Sequence, residues 1–139
     1  MTALRPMPVA TSASAPYWDA VRAHRLVAPR CRRCATLFFY PRARCPSCLH
    51  DDLDWVELTG RGHVYSCTVV RQAAHPAFAD HVPYVFAIVE LEEGVRMPTN
   101  VIDCDPASVA PDDAVEVTFV DVDDELTLPM FRPVLQARR

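Results

Sequence analysis

The sequence predicts a mainly β protein: a short N-terminal helix, a metal-stapled cysteine module, and a five- to six-stranded antiparallel barrel of the OB type. Three observations carry this. Four cysteines form two C-x2-C pairs separated by ten residues, at Cys31, Cys34, Cys45 and Cys48. Thirteen prolines against three glycines in 139 residues disfavour a bundle of long helices. Beyond residue 53 the apolar residues alternate in short runs bounded by turn signals, with no helix long enough for a crossover.

Residues 1–15 are rich in Pro, Ala, Ser and Thr and lack periodicity, so they read as a flexible leader or an arm that orders on a partner. Residues 16–28 hold the helix, expected over about 16–26. Pro16 suits its first turn, Asp19 is placed to meet the positive helix end, and Tyr17, Trp18 and Val21 share one face. Residues 29–52 form the cysteine module, in which Leu37-Phe38-Phe39-Tyr40-Pro41 reads as strand then turn. Residues 53–135 are assigned to the barrel and 136–139 to a tail. Within the barrel Trp55-Val56-Glu57-Leu58 leads into a Gly60-Arg61-Gly62 turn, followed by an alternating run over 63–72. Val64, Ser66, Thr68 and Val70 are expected on one face of that run, and His63, Tyr65, Cys67 and Val69 on the other. Runs over 84–91 and 95–103 flank a Glu92-Glu93-Gly94 hairpin, with Pro98 demoting part of the second run to an edge or bulge. Runs over 114–122 and 126–131 complete the set.

Two residues between thiols let each cysteine pair wrap one knuckle around a cation, and the intervening hairpin brings four sulfurs into a tetrahedron. About twenty residues cannot bury a self-sufficient core, so the metal must supply the cohesion. With four protein ligands no position stays open for water, and the site is structural. Zinc is the expected ion, with iron the alternative that the same four thiolates accept. No run approaches the roughly 18 apolar residues of a membrane span, and the start lacks the apolar stretch of a secretory signal. The expected compartment is therefore the cytoplasm, where thiols bind metal rather than pair as disulfides. Cys67 and Cys104 lack partners at ligand spacing and read as small buried apolar residues. His63, His75 and His81 form no recognisable pattern with a nucleophile, so no catalytic residue is assigned.

The charge is divided. All fourteen basic residues are arginine. Residues 1–50 carry eight arginines and one acid, net +7, whereas 51–139 carry six arginines and seventeen acids, net −11. Arg30, Arg32, Arg33, Arg42 and Arg44 surround the cysteines. They either offset the anionic four-thiolate centre or provide a site for phosphate groups, with Phe38, Phe39 and Tyr40 as an apolar platform. At least one of these aromatics is expected to cover the thin core of the module.

The order of parts resembles the acyl-CoA-associated zinc-ribbon and OB-fold family known as domain of unknown function thirty-five. The likeness runs over about 17–134. It rests on Tyr17-Trp18, the four cysteines with Pro41-Arg42 and Cys45-Pro46-Ser47-Cys48, Trp55-Val56-Glu57-Leu58, and Gly60-Arg61-Gly62-His63-Val64-Tyr65-Ser66. Pro83-Tyr84-Val85, Val89-Glu90-Leu91 and Phe131-Arg132-Pro133 extend it. Three departures stand out: Ala35 where a glycine often follows the second cysteine, His24-Arg25-Leu26 without the usual glycine, and a glycine-free Pro111-Asp112-Asp113 turn. The resemblance implies a rubredoxin-like zinc ribbon between the helix and the barrel. It also implies a non-catalytic partner of a thiolase-superfamily or hydratase subunit acting on acyl-CoA, in a hetero-oligomer. On that reading Trp18, Phe38, Phe39, Tyr40 and the five ribbon arginines are candidates for acyl-CoA or partner contact. An OB-type nucleic-acid binder is the alternative, and electrostatics opposes it: a polyanion gains from clustered cations, and the barrel half is net −11.

Overall fold

The computed structural model describes residues 5–134. The tail and the first four residues of the leader lie outside that range. Residues 11–14 form a tight turn in which the Thr11 amide donates to Ser14 Oγ at 2.9 Å and the Ser14 amide donates to the Thr11 carbonyl at 3.1 Å. Helix α1 follows over Ala15–Arg22, with Pro16 in its first turn, and buries Tyr17, Ala20 and Val21. Asp19 lies beyond the first turn and pairs with Arg22 on the exposed face, so it does not serve the helix start as expected.

The helix stops four residues short of the expected end, for a backbone reason. His24 takes the left-handed conformation (φ 59°), its amide donates to the Val21 carbonyl, and the Arg25 amide donates to the Ala20 carbonyl, both at 2.9 Å. This is a Schellman cap, usually built on glycine. His24 recovers part of the cost by stacking on Phe119 at 5.1 Å and placing Nε2 3.0 Å from Asp121 Oδ1. Hydrogen bonds from His24 and then Thr127 hold the Asp121 carboxyl below its ordinary pKa. A depressed carboxylate stabilises the fold above its unfolded pKa, near 4, and loses that contribution as pH falls through the folded value. Asp121→Asn should therefore melt earlier than the parent at pH 7, with the gap closing as pH falls through the acid range in which Asp121 takes up its proton; a gap that persists once the carboxyl is protonated would refute the linkage.

Strands β1 (Val27–Cys31) and β2 (Leu53–Glu57) pair antiparallel from Val27 opposite Glu57 to Cys31 opposite Leu53. Residues 53–57 pair with β1 in a two-stranded sheet and not with a strand of the barrel. In the Leu37-to-Pro41 segment only Leu37 makes a strand contact, an isolated bridge to Arg30. The Phe38 amide also donates to the Pro29 carbonyl at 3.1 Å, but no strand forms there.

The barrel comprises β3 (Arg61–Val70), β4 (Tyr84–Leu91), β5 (Arg96–Val101), β6 (Ala114–Asp121) and β7 (Thr127–Pro133), closed in the order β3-β4-β5-β7-β6. This is the OB arrangement. Its neighbours are antiparallel except at the seam, where β5 meets β7 in parallel at Val101 and Phe131. Pro98 occupies β5, which has a full partner only in β4 and so tolerates the missing amide hydrogen. Two short 3-10 turns, Pro76–Phe78 and Pro106–Ser108, occupy loops where no element was expected.

Two details of β3 depart from expectation. Gly60 (φ +80°) is a turn residue, but Gly62 lies inside the strand opposite Leu91. A bulge between Val64 and Ser66 then inserts Tyr65, so the simple alternation of faces fails. Val64 and Cys67 both reach the core, while Tyr65 is 49% exposed.

One hydrophobic cluster joins the parts: Tyr17, Val21 and Ala28 from the helix and β1 pack with Val64, Val85, Val89, Met97, Val115 and Phe131 of the barrel. A second, small cluster of Cys31, Phe38 and Cys45 underlies the cysteine knuckles. The two charge halves also meet across surface pairs, including Arg25 with Glu57 at 3.7 Å and Arg32 with Asp52 at 3.7 Å and Asp54 at 3.6 Å. These pairs are about half exposed, and exposed pairs contribute at most about 1 kcal/mol each. Apolar burial holds the parts together.

Candidate metal centre

The two knuckles are built alike. In each, the amide after the second cysteine donates back to the carbonyl of the first: Ala35 to Cys31 and Leu49 to Cys45, both at 2.9 Å. Both Ala35 (φ 65°) and Leu49 (φ 66°) are left-handed, which turns the second thiol beside the first. Backbone amides then point at sulfur, Arg33 at Cys31 Sγ (3.3 Å) and Ser47 at Cys45 Sγ (3.4 Å). Such donors stabilise thiolates. A left-handed non-glycine residue costs about 1–2 kcal/mol, so Ala35→Gly should raise stability by about 0.5–1 kcal/mol. A lowered denaturation midpoint for that variant would contradict the geometry.

The four sulfurs lie within 4.8 Å of one another, with Cys31 and Cys48 at 3.5 Å and Cys34 and Cys45 at 3.6 Å. A tetrahedral ion with metal–sulfur bonds of about 2.3 Å requires sulfurs roughly 3.8 Å apart. The donor set and its spacing therefore fit a four-thiolate ion, and the chain carries a metal site. Cys31 and Cys45 are buried, Cys48 is half-buried and Cys34 is exposed. Hydrogen bonding from the Thr36 side chain and backbone draws the Cys34 thiol down to about 6, and the Thr36 hydroxyl lies 3.1 Å from its sulfur. At Cys48 the His50 amide lowers the pKa, but desolvation and the three neighbouring thiols outweigh it and raise the value to about 11. Cys34 and Cys48 thus differ in how readily they give up a proton, and a cation must displace any proton that remains on its ligands.

The structure divides the other candidates. Phe38 is 6% exposed and packs on Cys31 and Cys45, covering the core of the ribbon. Phe39 meets Tyr17 edge-on at 5.5 Å, and Trp18 Nε1 donates to the Tyr40 hydroxyl at 3.0 Å. Trp18, Phe39 and Tyr40 therefore join ribbon to helix instead of forming one open platform with Phe38. Arg32 is held by Asp52 and Asp54, and Arg44 donates to the Leu49 carbonyl at 3.2 Å. Arg30, Arg33 and Arg42 are exposed, and among the described residues they have no ion-pair partner. Sequence reading did not single out Thr36, Leu49, Asp52 or Asp54, whose roles depend on backbone conformation and on β2 returning beside β1. His63 lies 3.2 Å from Glu90, and His75 Nδ1 accepts from the Ala77 amide at 3.0 Å, so both are engaged locally.

A helix, a four-cysteine ribbon and a closed five-strand barrel sharing one core define a zinc-ribbon/OB-fold protein. Residues 18–54 match the family described as ChsH2, rubredoxin-like zinc ribbon domain, and residues 55–120 match ChsH2, C-terminal OB-fold domain. A DUF35 domain-containing scaffold protein of Methanothermobacter thermautotrophicus is 38% identical, over 73% of this chain and 77% of its own. A probable enoyl-CoA hydratase alpha subunit of Thermomonospora curvata is 42% identical over 96% of this chain, which spans 41% of that relative's length. Among solved structures, a chain of the Ltp2-ChsH2(DUF35) aldolase superposes with a TM-score of 0.83 at 41% identity, over 91% of this chain and 98% of that one. This chain belongs to the DUF35 family.

Proposed function

We propose that this chain is a non-catalytic accessory subunit that assembles with an acyl-CoA-processing enzyme, a thiolase-superfamily aldolase, acyltransferase or synthase, or a hydratase. The observation that carries the reading is the near-complete superposition on a chain of the two-component aldolase. The similarity to a hydratase alpha subunit agrees with it, as does the scaffold relative. The metal in this reading is zinc, and it holds the basic ribbon in shape while chemistry resides in the partner. Among the described residues of the ribbon, Arg30, Arg33 and Arg42 are the cations available for CoA phosphates or an acidic partner surface. Four thiolate ligands suit a reducing cytoplasm.

Gel filtration of the purified chain with the acyl-CoA enzyme encoded beside its gene tests the proposal. Co-elution and a rise in turnover on mixing are expected; separate elution with unchanged turnover would count against it. Replacing Arg33 and Arg42 by glutamine should weaken acyl-CoA binding to the complex about tenfold, in line with the loss of charged contacts, without changing metal content.

A further inference from the structure

An open groove of about 580 Å³ runs along the outer wall of the barrel, between the β4–β5 pair and the β6–β7 hairpin. Strand alternation sends every second side chain outward, and on a solvated wall those positions are ordinarily polar. Here the floor is Phe86, Ile102, Val120, Leu128 and Met130. Phe86 is 43% exposed although its neighbours Val85 and Ala87 are buried, so β4 deliberately shows a large ring to water. Continuous apolar surface of this kind marks a contact site.

The charge around the groove indicates what it contacts. Burial raises the pKa of Cys104 in the groove wall; a Ser108 hydrogen bond opposes this, and the carboxylates of Asp105, Asp103 and Asp113 reinforce it. The turn that ends the β6–β7 hairpin presents Asp123, Asp124 and Glu125, all exposed. Among the described residues the lining holds one guanidinium, that of Arg5, which sits 5.1 Å over the Phe78 ring at the groove. A cation on an aromatic face is well placed, whereas an anionic amphiphile would meet repulsion from the carboxylates around Cys104.

We propose that this groove receives an extended segment of the partner enzyme in which apolar side chains flank an arginine or lysine, whose cation takes the seat on Phe78 now held by Arg5. The inference rests on the accessory-subunit reading and locates its interface on the acidic barrel wall, away from the basic ribbon. The segment contributes apolar burial on Phe86 and Met130, the rim carboxylates select its charge, and Arg5 competes with it.

The test is the affinity of the complex with the neighbouring acyl-CoA enzyme, for the full chain with its metal. Phe86→Arg and Met130→Arg should each weaken association at least about tenfold, the scale of an interface hot spot, and Arg5→Ala should tighten it severalfold. Metal content and circular dichroism serve as fold controls; should Phe86→Arg lose its fold, Phe86→Ser at the same exposed position is expected to show the same weakening. If the parent binds and the groove variants bind equally well, the groove assignment is overturned and the accessory role stands. If the parent does not bind, both fall. Saturable binding of decanoate to the parent, lost in Phe86→Arg while complex formation is unchanged, would assign the groove to a small molecule and also overturn the proposal.

Discussion

Replacing Cys45 by serine is expected to strip the protein of its metal and unfold the ribbon while leaving the barrel folded. The reason lies in how apolar burial is distributed. Cys31, Phe38 and Cys45, with Cys48 and Leu53 against them, form a cluster separate from the main core. Three buried side chains cannot offset the ordering entropy of some twenty residues at about 1–2 kcal/mol each. The metal supplies the difference: structural zinc sites contribute about 10–16 kcal/mol in isolated zinc-finger peptides, as much as the whole stability of many domains. Bound metal should fall from one equivalent to less than about a tenth, since three remaining thiolates leave an open position. Amide exchange should become fast across 32–52 and stay slow across β3 to β7. Retained metal, or loss of protection throughout the chain, would show that the ribbon is not an independent metal-held unit.

The second large effect is expected at Gly62. A Cβ added there would lie 2.3 Å from the Glu90 carbonyl oxygen and 3.0 Å from Leu91 Cα, both backbone atoms of β4. Flexible side chains could yield, but a paired strand cannot, so Gly62→Ala must part β3 from β4 where the two backbones approach closely. A loss of about 3 kcal/mol or more is expected, near the upper end for point substitutions. Gly94 offers the contrast. Its Cβ would meet nothing within 4 Å, and only its φ of +94° opposes a side chain, so Gly94→Ala should cost about 1 kcal/mol. Urea unfolding of the two variants distinguishes steric contact from backbone preference, and equal losses would refute the close-approach account.

These cases show which parts of the molecule were legible in its sequence. The four ligands were readable because C-x2-C spacing is a local constraint: two intervening residues suffice to bring two sulfurs together whatever the rest of the chain does. The strand over Tyr84–Leu91 was readable for a similar reason, its alternation being strict and its ends marked by Pro83 and Glu92-Glu93-Gly94. The helix end was not. His24 lacks the glycine that signals a left-handed cap, and the ring and carboxylate that support it, Phe119 and Asp121, lie almost a hundred residues later.

The same division holds for the candidate contacts. Five arginines around the cysteines are equivalent in the sequence, yet β2 returns beside β1 and places Asp52 and Asp54 against Arg32, while Arg44 reaches the Leu49 carbonyl and Arg30, Arg33 and Arg42 have neither kind of partner among the described residues. Phe38, Phe39 and Tyr40 are consecutive, yet the first covers the ribbon core and the other two face the helix. The bulge at Tyr65 reversed the faces of β3 because one inserted residue shifts a period of two, and nothing in a run of alternating residues announces it.

Residue identity and short spacing thus settled the metal site, the mainly β class and the split of charge, since each depends on neighbours a few positions apart or on composition alone. Tertiary packing decided where the helix stops, which sheet Leu53–Glu57 joins, which arginines stay free and where the barrel leaves an apolar wall open. Those outcomes depend on groups that meet only after the chain has closed on itself, and no local pattern encodes them.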